Sequence, residues 1–377
     1  MIKKRNSSIE LLRILSMFLI VIHHYAVHGT LPCYSSFNPS ISASLRINLF
    51  LHVLGRLGVV IFVMIGAYFL CEKTFNFKRP VNLALNTMLY SFGIYFILKY
   101  FFHYGIPKSY TWKDLWFPFP LPSGYWFVSS YILMLFFMPM FNLVIKNFNR
   151  KQLLLLIEGL FVVWSLLPTA MQFFKSKPDI AINDFGYTTF SAFTLAYFMS
   201  AYVKKYKGKF LSNPYKSGCS ALVILLVFIL LSILSTNSKL YFSIQLFYVS
   251  YNPLIMIEAL LIFSFFKEKY FVNYFVNYFA QSMFGVYLIH ENSFLRPIIC
   301  EKFISSNKYA HYPWLYLGNS FLYSLLVFII CIFLDIIIRR LLFSRLINYL
   351  TLKISNLFQN LVIHYLNDDN VNGSLKM

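Results

Sequence analysis

"RILSMFLIVIHHYAVHG" (Arg13–Gly29) decides the fold. From Ile14 to Ile22 every residue but Ser16 is apolar. With Ile9, Leu11 and Leu12 ahead of it and the stretch to Gly29 behind it, the segment 9–29 reaches the roughly 20 residues that cross a bilayer as a helix. Yet Arg13 stands near its start, and His23 and His24 near its end. Ionisable groups at such depth are costly, so they face a bundle interior or a cavity rather than lipid.

The rest of the chain has the same character. Of 377 residues, 59% are hydrophobic and 12% charged. Soluble domains average about 25% charged. The chain therefore reads as all-α, a polytopic membrane helix bundle. The net charge of +20 does not indicate nucleic acid, because the Lys and Arg residues sit in short clusters between apolar runs. Five cysteines are scattered without metal-binding spacing, and no metal-ligand cluster is evident.

Ten apolar segments reach spanning length: about 9–29, 47–71, 81–102, 124–145, 152–172, 185–203, 217–235, 243–266, 280–298 and 315–338. With the N-terminus inside, the inner segments carry about twice the Lys and Arg of the outer ones, which places both termini in the cytoplasm. No cleavable leader is evident in the first segment. Residues 1–340 form the transmembrane domain on this reading. Residues 341–377 form a cytoplasmic tail, first amphipathic and surface-lying, then disordered. The short loops leave the chemistry to the bundle.

Arg13 and His24 are eleven positions apart, almost three turns, so they share one face of a helix about 16 Å apart along its axis. Met17 and Ile20 lie between them on that stripe, and Glu10 stands where it can pair with Arg13. His23 points about 100° away. Taken singly, Arg13 snorkels to the headgroups and His24 bridges helices as a neutral imidazole. Together the aligned groups suit chemistry. A neutral imidazole, the form a low-dielectric bundle favours, removes the proton of a hydroxyl attacking a carbonyl. A cation near the inner face suits an anionic donor arriving from the cytosol, such as one carrying nucleotide phosphates.

At this point the residues resemble a known family. "IELLRILSMFLIVIHH" is similar to the first helix of the acyltransferase family 3 membrane proteins, which O-acylate bacterial surface glycans and related molecules. Glu10, Arg13 and His24 match its acid, Leu-Arg and His in order and spacing. "GRLGVVIFVMIGAYFL" (Gly55–Leu70), "YWFVSSYILMLFFMPMFN" (Tyr125–Asn142) and "MFGVYLIHEN" (Met283–Asn292) resemble three further motifs. Val60 replaces the usual proline, Gly66-Ala67 the usual Ser-Gly, and Tyr131 a frequent Glu. The frequent Arg-x-x-Arg is reduced to Arg79 followed by Asn82. The pattern is closest to the short, bundle-only members of capsule and exopolysaccharide loci.

The resemblance implies a multi-pass O-acyltransferase of the bacterial inner membrane, embedded in lipid. It implies acetyl-CoA or another acyl-CoA as donor substrate, no bound cofactor, and a glycan or lipid-linked glycan as acceptor. His24 is then general base or transient acyl carrier, with Arg13 and Glu10 beside it. Arg13, Arg56 and Arg79 are the expected donor-binding groups, although Arg56 has Glu258 and Glu158 as alternative partners. Tyr125, Trp126, Ser129, His290, Glu291 and Asn292 are expected at the acceptor or along the cavity. Within "FPFPLPSGYWF", Trp126 is either the centre of a sugar-stacking lip or part of an interfacial belt. Asp335 and Arg339 read as a local ion pair. A transporter or flippase for a lipid-linked glycan is the alternative from another class; it explains buried charge but not the four motifs.

Overall fold

The computed structural model describes residues 5–29, 38–103, 125–174, 189–206, 211–247, 249–303 and 306–373. Among them the secondary structure is helical. Helices α1 (Ser7–His28), α2 (Ser42–Leu70), α3 (Lys78–Phe96), α4 (Trp126–Asn147) and α5 (Arg150–Phe161) are followed by α6 (Leu167–Phe174), α7 (Thr189–Lys205), α8 (Pro214–Leu234), α9 (Ser238–Phe247) and α10 (Pro253–Lys267). Then come α11 (Tyr274–Ala280), α12 (Met283–His290), the single turn α13 (Leu295–Pro297), α14 (Pro313–Asp335) and α15 (Ser344–Gly373).

Seven helical spans are long and apolar enough to cross a membrane among the described residues. The other three segments expected from the sequence are short or interrupted. Two of the interruptions have a local cause. Asn252 caps a new helix through Leu254 N–H at 2.8 Å, ahead of Pro253, so 243–266 is split into α9 and α10. Asn292 likewise splits 280–298. Its Oδ1 accepts from Phe294 N–H at 3.0 Å and Leu295 N–H at 3.2 Å, an arrangement that competes with helix continuation.

The centre of the bundle is α1 against α2. Two small residues permit it. A Cβ at Gly55 would fall inside the His23 side chain, and one at Gly58 would crowd the Ser16 carbonyl oxygen. In the membrane window of α2, 72% of residues are buried, against 22% in α8. So α2 is interior and α8 faces outward. Leu222, Val223, Leu226, Leu230 and Ile233 of α8 are exposed, as are Leu322, Leu326, Ile330 and Phe333 of α14. Contiguous apolar surface of this size belongs in lipid.

The start of α1 is tied down from a distance. Asn6 caps it by accepting from Ser8 N–H at 3.0 Å, while its own Nδ2 donates to the Lys269 carbonyl at 2.9 Å. The Ser8 hydroxyl donates to the Phe266 carbonyl at 2.7 Å. Elsewhere, Asp335 accepts from Arg339 at 2.7 and 2.6 Å, the local ion pair the sequence predicts. It also accepts from the Tyr90 hydroxyl at 2.7 Å, so the pair clasps α3 to α14. Helix α15 packs along α3, where Phe77 and Phe358 stack at 5.7 Å. It runs on through Gly373, beyond the amphipathic stretch read from the sequence.

Candidate active site

The break after α12 builds the site. α12 ends at His290, Glu291 leaves helical geometry, and Asn292 starts the next turn. Asn292 Nδ2 donates to the Tyr125 hydroxyl at 2.9 Å, which donates to the Leu288 carbonyl at 2.8 Å. The start of α4 thus pins the broken strand of backbone in place. Irregular backbone at this depth is tolerated only inside protein or along a cavity. The break brings Arg296 within 2.7 Å of Glu291 Oε1 and turns both toward the end of α1.

His24 meets this break directly. Its Nδ1 lies 2.8 Å from His290 Nε2 and 3.1 Å from Glu291 Oε2. The proton positions follow from chemistry. His290 Nδ1 is 2.6 Å from the Val286 carbonyl, which only accepts, so this nitrogen carries a proton. In the neutral ring His290 Nε2 is then an acceptor. His24 Nδ1 must therefore be the donor, and its Nε2 keeps the lone pair. No described residue hydrogen-bonds that Nε2. The Glu291 oxygen lies beside His24 at ion-pair distance without hydrogen-bond alignment.

Two cavities flank the α1 stripe. The first, about 230 Å³, is lined by Met17, Ile20, His24, Arg56, Trp126 and Glu291, together with His28, Tyr287 and Arg296. The second, about 210 Å³, is lined by Arg13, Gly66, Leu83, Tyr131, Gln281 and Phe284. Phe127 belongs to the walls of both. Its ring stacks on Tyr131 at 5.7 Å and meets Tyr287 at 5.5 Å and Phe62 at 5.8 Å. Along the stripe there are therefore two cavities, with the Phe127 ring as the partition they share.

Most expected residues gather here, in different roles. Glu10 pairs with Arg13 at 2.7 Å. Arg13 lines the second cavity, and Arg79 stands one helical turn before Leu83 of the same wall, with its Nη1 lacking a partner. Arg56 lies on the other side of the partition, in the His24 cavity. Among the described residues Arg56 has no ion pair, with Glu258 or any other acid, and its Nε has no acceptor. Glu258 opens instead on a separate apolar groove beside Cys219 and Phe265. Trp126 and Glu291 line the His24 cavity. Tyr125, Asn292 and His290 stand behind its wall, consumed by the bonds above. Ser129 lines neither cavity, and its Oγ is buried without a partner. The proline-rich stretch 117–124 lies outside the described residues.

Two participants escaped the sequence reading. His28 is four residues after His24, on the same stripe, and its ring lies 5.4 Å away; helical spacing alone points to it. Arg296 had no such signal, because it reaches Glu291 only through the helix break.

Three ligand-type atoms, from His24, His290 and Glu291, lie within 4.8 Å of one another. That is metal-binding proximity. The nitrogens of two His ligands on a tetrahedral ion are about 3.3 Å apart at bond lengths of roughly 2.0 Å. The observed 2.8 Å is a hydrogen-bond distance, so an ion would have to part the rings. The donor set fits a proton-holding network as it stands.

Comparison with known proteins then gives one result. The family model described as "Acyltransferase domain" matches residues 6–340. No curated protein and no solved structure matches.

Proposed function

The chain belongs to the acyltransferase domain family, matched over residues 6–340, and from that premise we propose that it is an O-acetyltransferase of the bacterial inner membrane. The donor is acetyl-CoA or a related acyl-CoA. The acceptor is a hydroxyl of a surface polysaccharide or of its lipid-linked precursor. Both termini face the cytosol, the side from which the donor arrives.

The observation that carries this reading is the orientation of His24. Its Nδ1 proton is committed to His290 Nε2, which leaves Nε2 as the base in a cavity that also holds Trp126 and Glu291. The acceptor hydroxyl gives its proton to His24 Nε2 as its oxygen attacks the thioester carbonyl. The Glu291 carboxylate, held by Arg296 at 2.7 Å, favours the imidazolium that forms. His24 then passes the proton to the departing thiolate. His290 and Glu291 act as positioning residues in this scheme, as the third group does in a catalytic triad.

Arg13 and Arg79 hold the donor phosphates on the far side of Phe127. The extended arm of the donor spans the distance of about 16 Å that eleven helical residues set between Arg13 and His24. Trp126 offers a flat apolar face to a sugar ring. Closure of the cavity around the thioester limits hydrolysis.

The test is acceptor-dependent release of CoA thiol by purified protein in lipid nanodiscs. The proposal expects release with the glycan present and little without it. Equal release with and without every glycan tried would overturn the acceptor assignment; no release from any acyl-CoA would overturn the donor.

A further inference from the structure

A half-buried cation within a membrane bundle is costly unless it pairs or lines a cavity. The cations around α1 can be accounted for one by one. Arg13 is paired with Glu10 at 2.7 Å. Arg296 is paired with Glu291 at 2.7 Å. Arg339 is held by Asp335 at 2.6 Å. Arg56 has no ion pair among the described residues, and its buried Nε has no acceptor; Arg79, whose buried Nη1 also lacks a partner, stands beside the other cavity. Among the described residues Glu291 is the only acid on the wall of its cavity, and Arg296 already occupies it.

Arg56 therefore waits for negative charge that comes with the substrates. Two sources exist: the phosphates of the donor, or the oxygen of the carbonyl under attack. Position decides between them. Arg13, with Arg79 nearby, lies beyond the Phe127 partition. Arg56 shares its space with His24.

We propose that Arg56 is a catalytic residue that binds the oxyanion of the tetrahedral intermediate. This rests on the acyl-transfer reading above. The acceptor oxygen forms a bond to the carbonyl carbon, its proton moves to His24 Nε2, and the carbonyl π pair moves onto oxygen. Arg56 holds that oxyanion through its guanidinium. The pair then returns to re-form the carbonyl, the carbon–sulfur bond breaks, and the His24 proton goes to the thiolate. The products are the ester and CoA thiol. A fixed donor in a water-poor site is worth most where charge develops only in the transition state.

The experiment compares Arg56→Gln and Arg56→Lys with wild type in nanodiscs. It measures kcat with acetyl-CoA and, separately, the Kd for CoA by equilibrium dialysis. The expected result for Arg56→Gln is a kcat lower by about 10²–10³, with the Kd for CoA unchanged. Arg56→Lys retains the charge and recovers part of kcat, and it serves alone if the Gln variant fails to fold. A Kd raised tenfold or more with kcat preserved would make Arg56 a phosphate ligand and overturn the proposal. Unchanged kcat and Kd would do the same. Failure of the underlying reading looks different: wild-type protein would then release no CoA thiol, or His24→Ala would keep full turnover.

Discussion

His24 Nδ1 and His290 Nε2 lie 2.8 Å apart, although 266 residues separate them in the chain. The contact joins the first helix to a break in a late one. With a neutral His290, whose Nδ1 is held by the Val286 carbonyl, it assigns the proton to His24 Nδ1. The imidazole is thereby oriented by backbone geometry rather than by a neighbouring charge alone.

Glu291 should matter to turnover without touching the donor. Glu291→Gln keeps the shape but removes the charge beside His24 and leaves Arg296 unpaired. The expected loss in kcat is on the order of 10²–10⁴, with the KM for acyl-CoA little changed. Steady-state kinetics on purified protein checks this. A raised KM with normal kcat would place Glu291 in donor binding instead.

Phe127 divides the two cavities. Phe127→Ala widens the passage that the donor arm uses between them and admits water there, so more thioester is expected to be lost to hydrolysis per ester made. The ratio of free acetate to acylated glycan is the readout. Should that ratio stay constant, the ring is packing only.

Gly55 sets the distance between α1 and α2. Any side chain there meets His23, and overpacking of this kind costs about 1–3 kcal/mol. Gly55→Leu is expected to lower the thermal midpoint in detergent and to cut activity, because His24 rides on the displaced helix. An unchanged midpoint would show that the helices part freely.

The hydrogen bond between His24 and His290 and a shared metal ion are exclusive alternatives. Prolonged EDTA treatment should leave transfer unaffected. If EDTA abolishes activity and zinc restores it, the three groups are a metal centre and the assignment of His24 as base falls.

Much of this site was legible in the sequence because helices translate spacing into position. Glu10, Arg13 and His24 lie where three and eleven residues put them, and His28 follows the same rule. The central role of α2 could be anticipated from Gly55 and Gly58 once α1 was placed. What stayed hidden depends on contacts between segments. The run 280–298 looks continuous because it is apolar, and only the bonds from Asn292 to Tyr125 and to its own following backbone show why it breaks. Arg296 reads as an outer basic residue until that break folds it onto Glu291. The separation of Arg13 from His24 by Phe127 is likewise tertiary, since Phe127 comes from α4.

The most direct test of the central claim is proton NMR of the surface polysaccharide from three strains: one lacking the gene, one restored with wild type and one with His24→Ala. The account predicts base-labile acyl signals only with wild type, while the variant is present in the membrane at a normal level. Full acylation with His24→Ala, or acylation that is the same in all three strains, would contradict it.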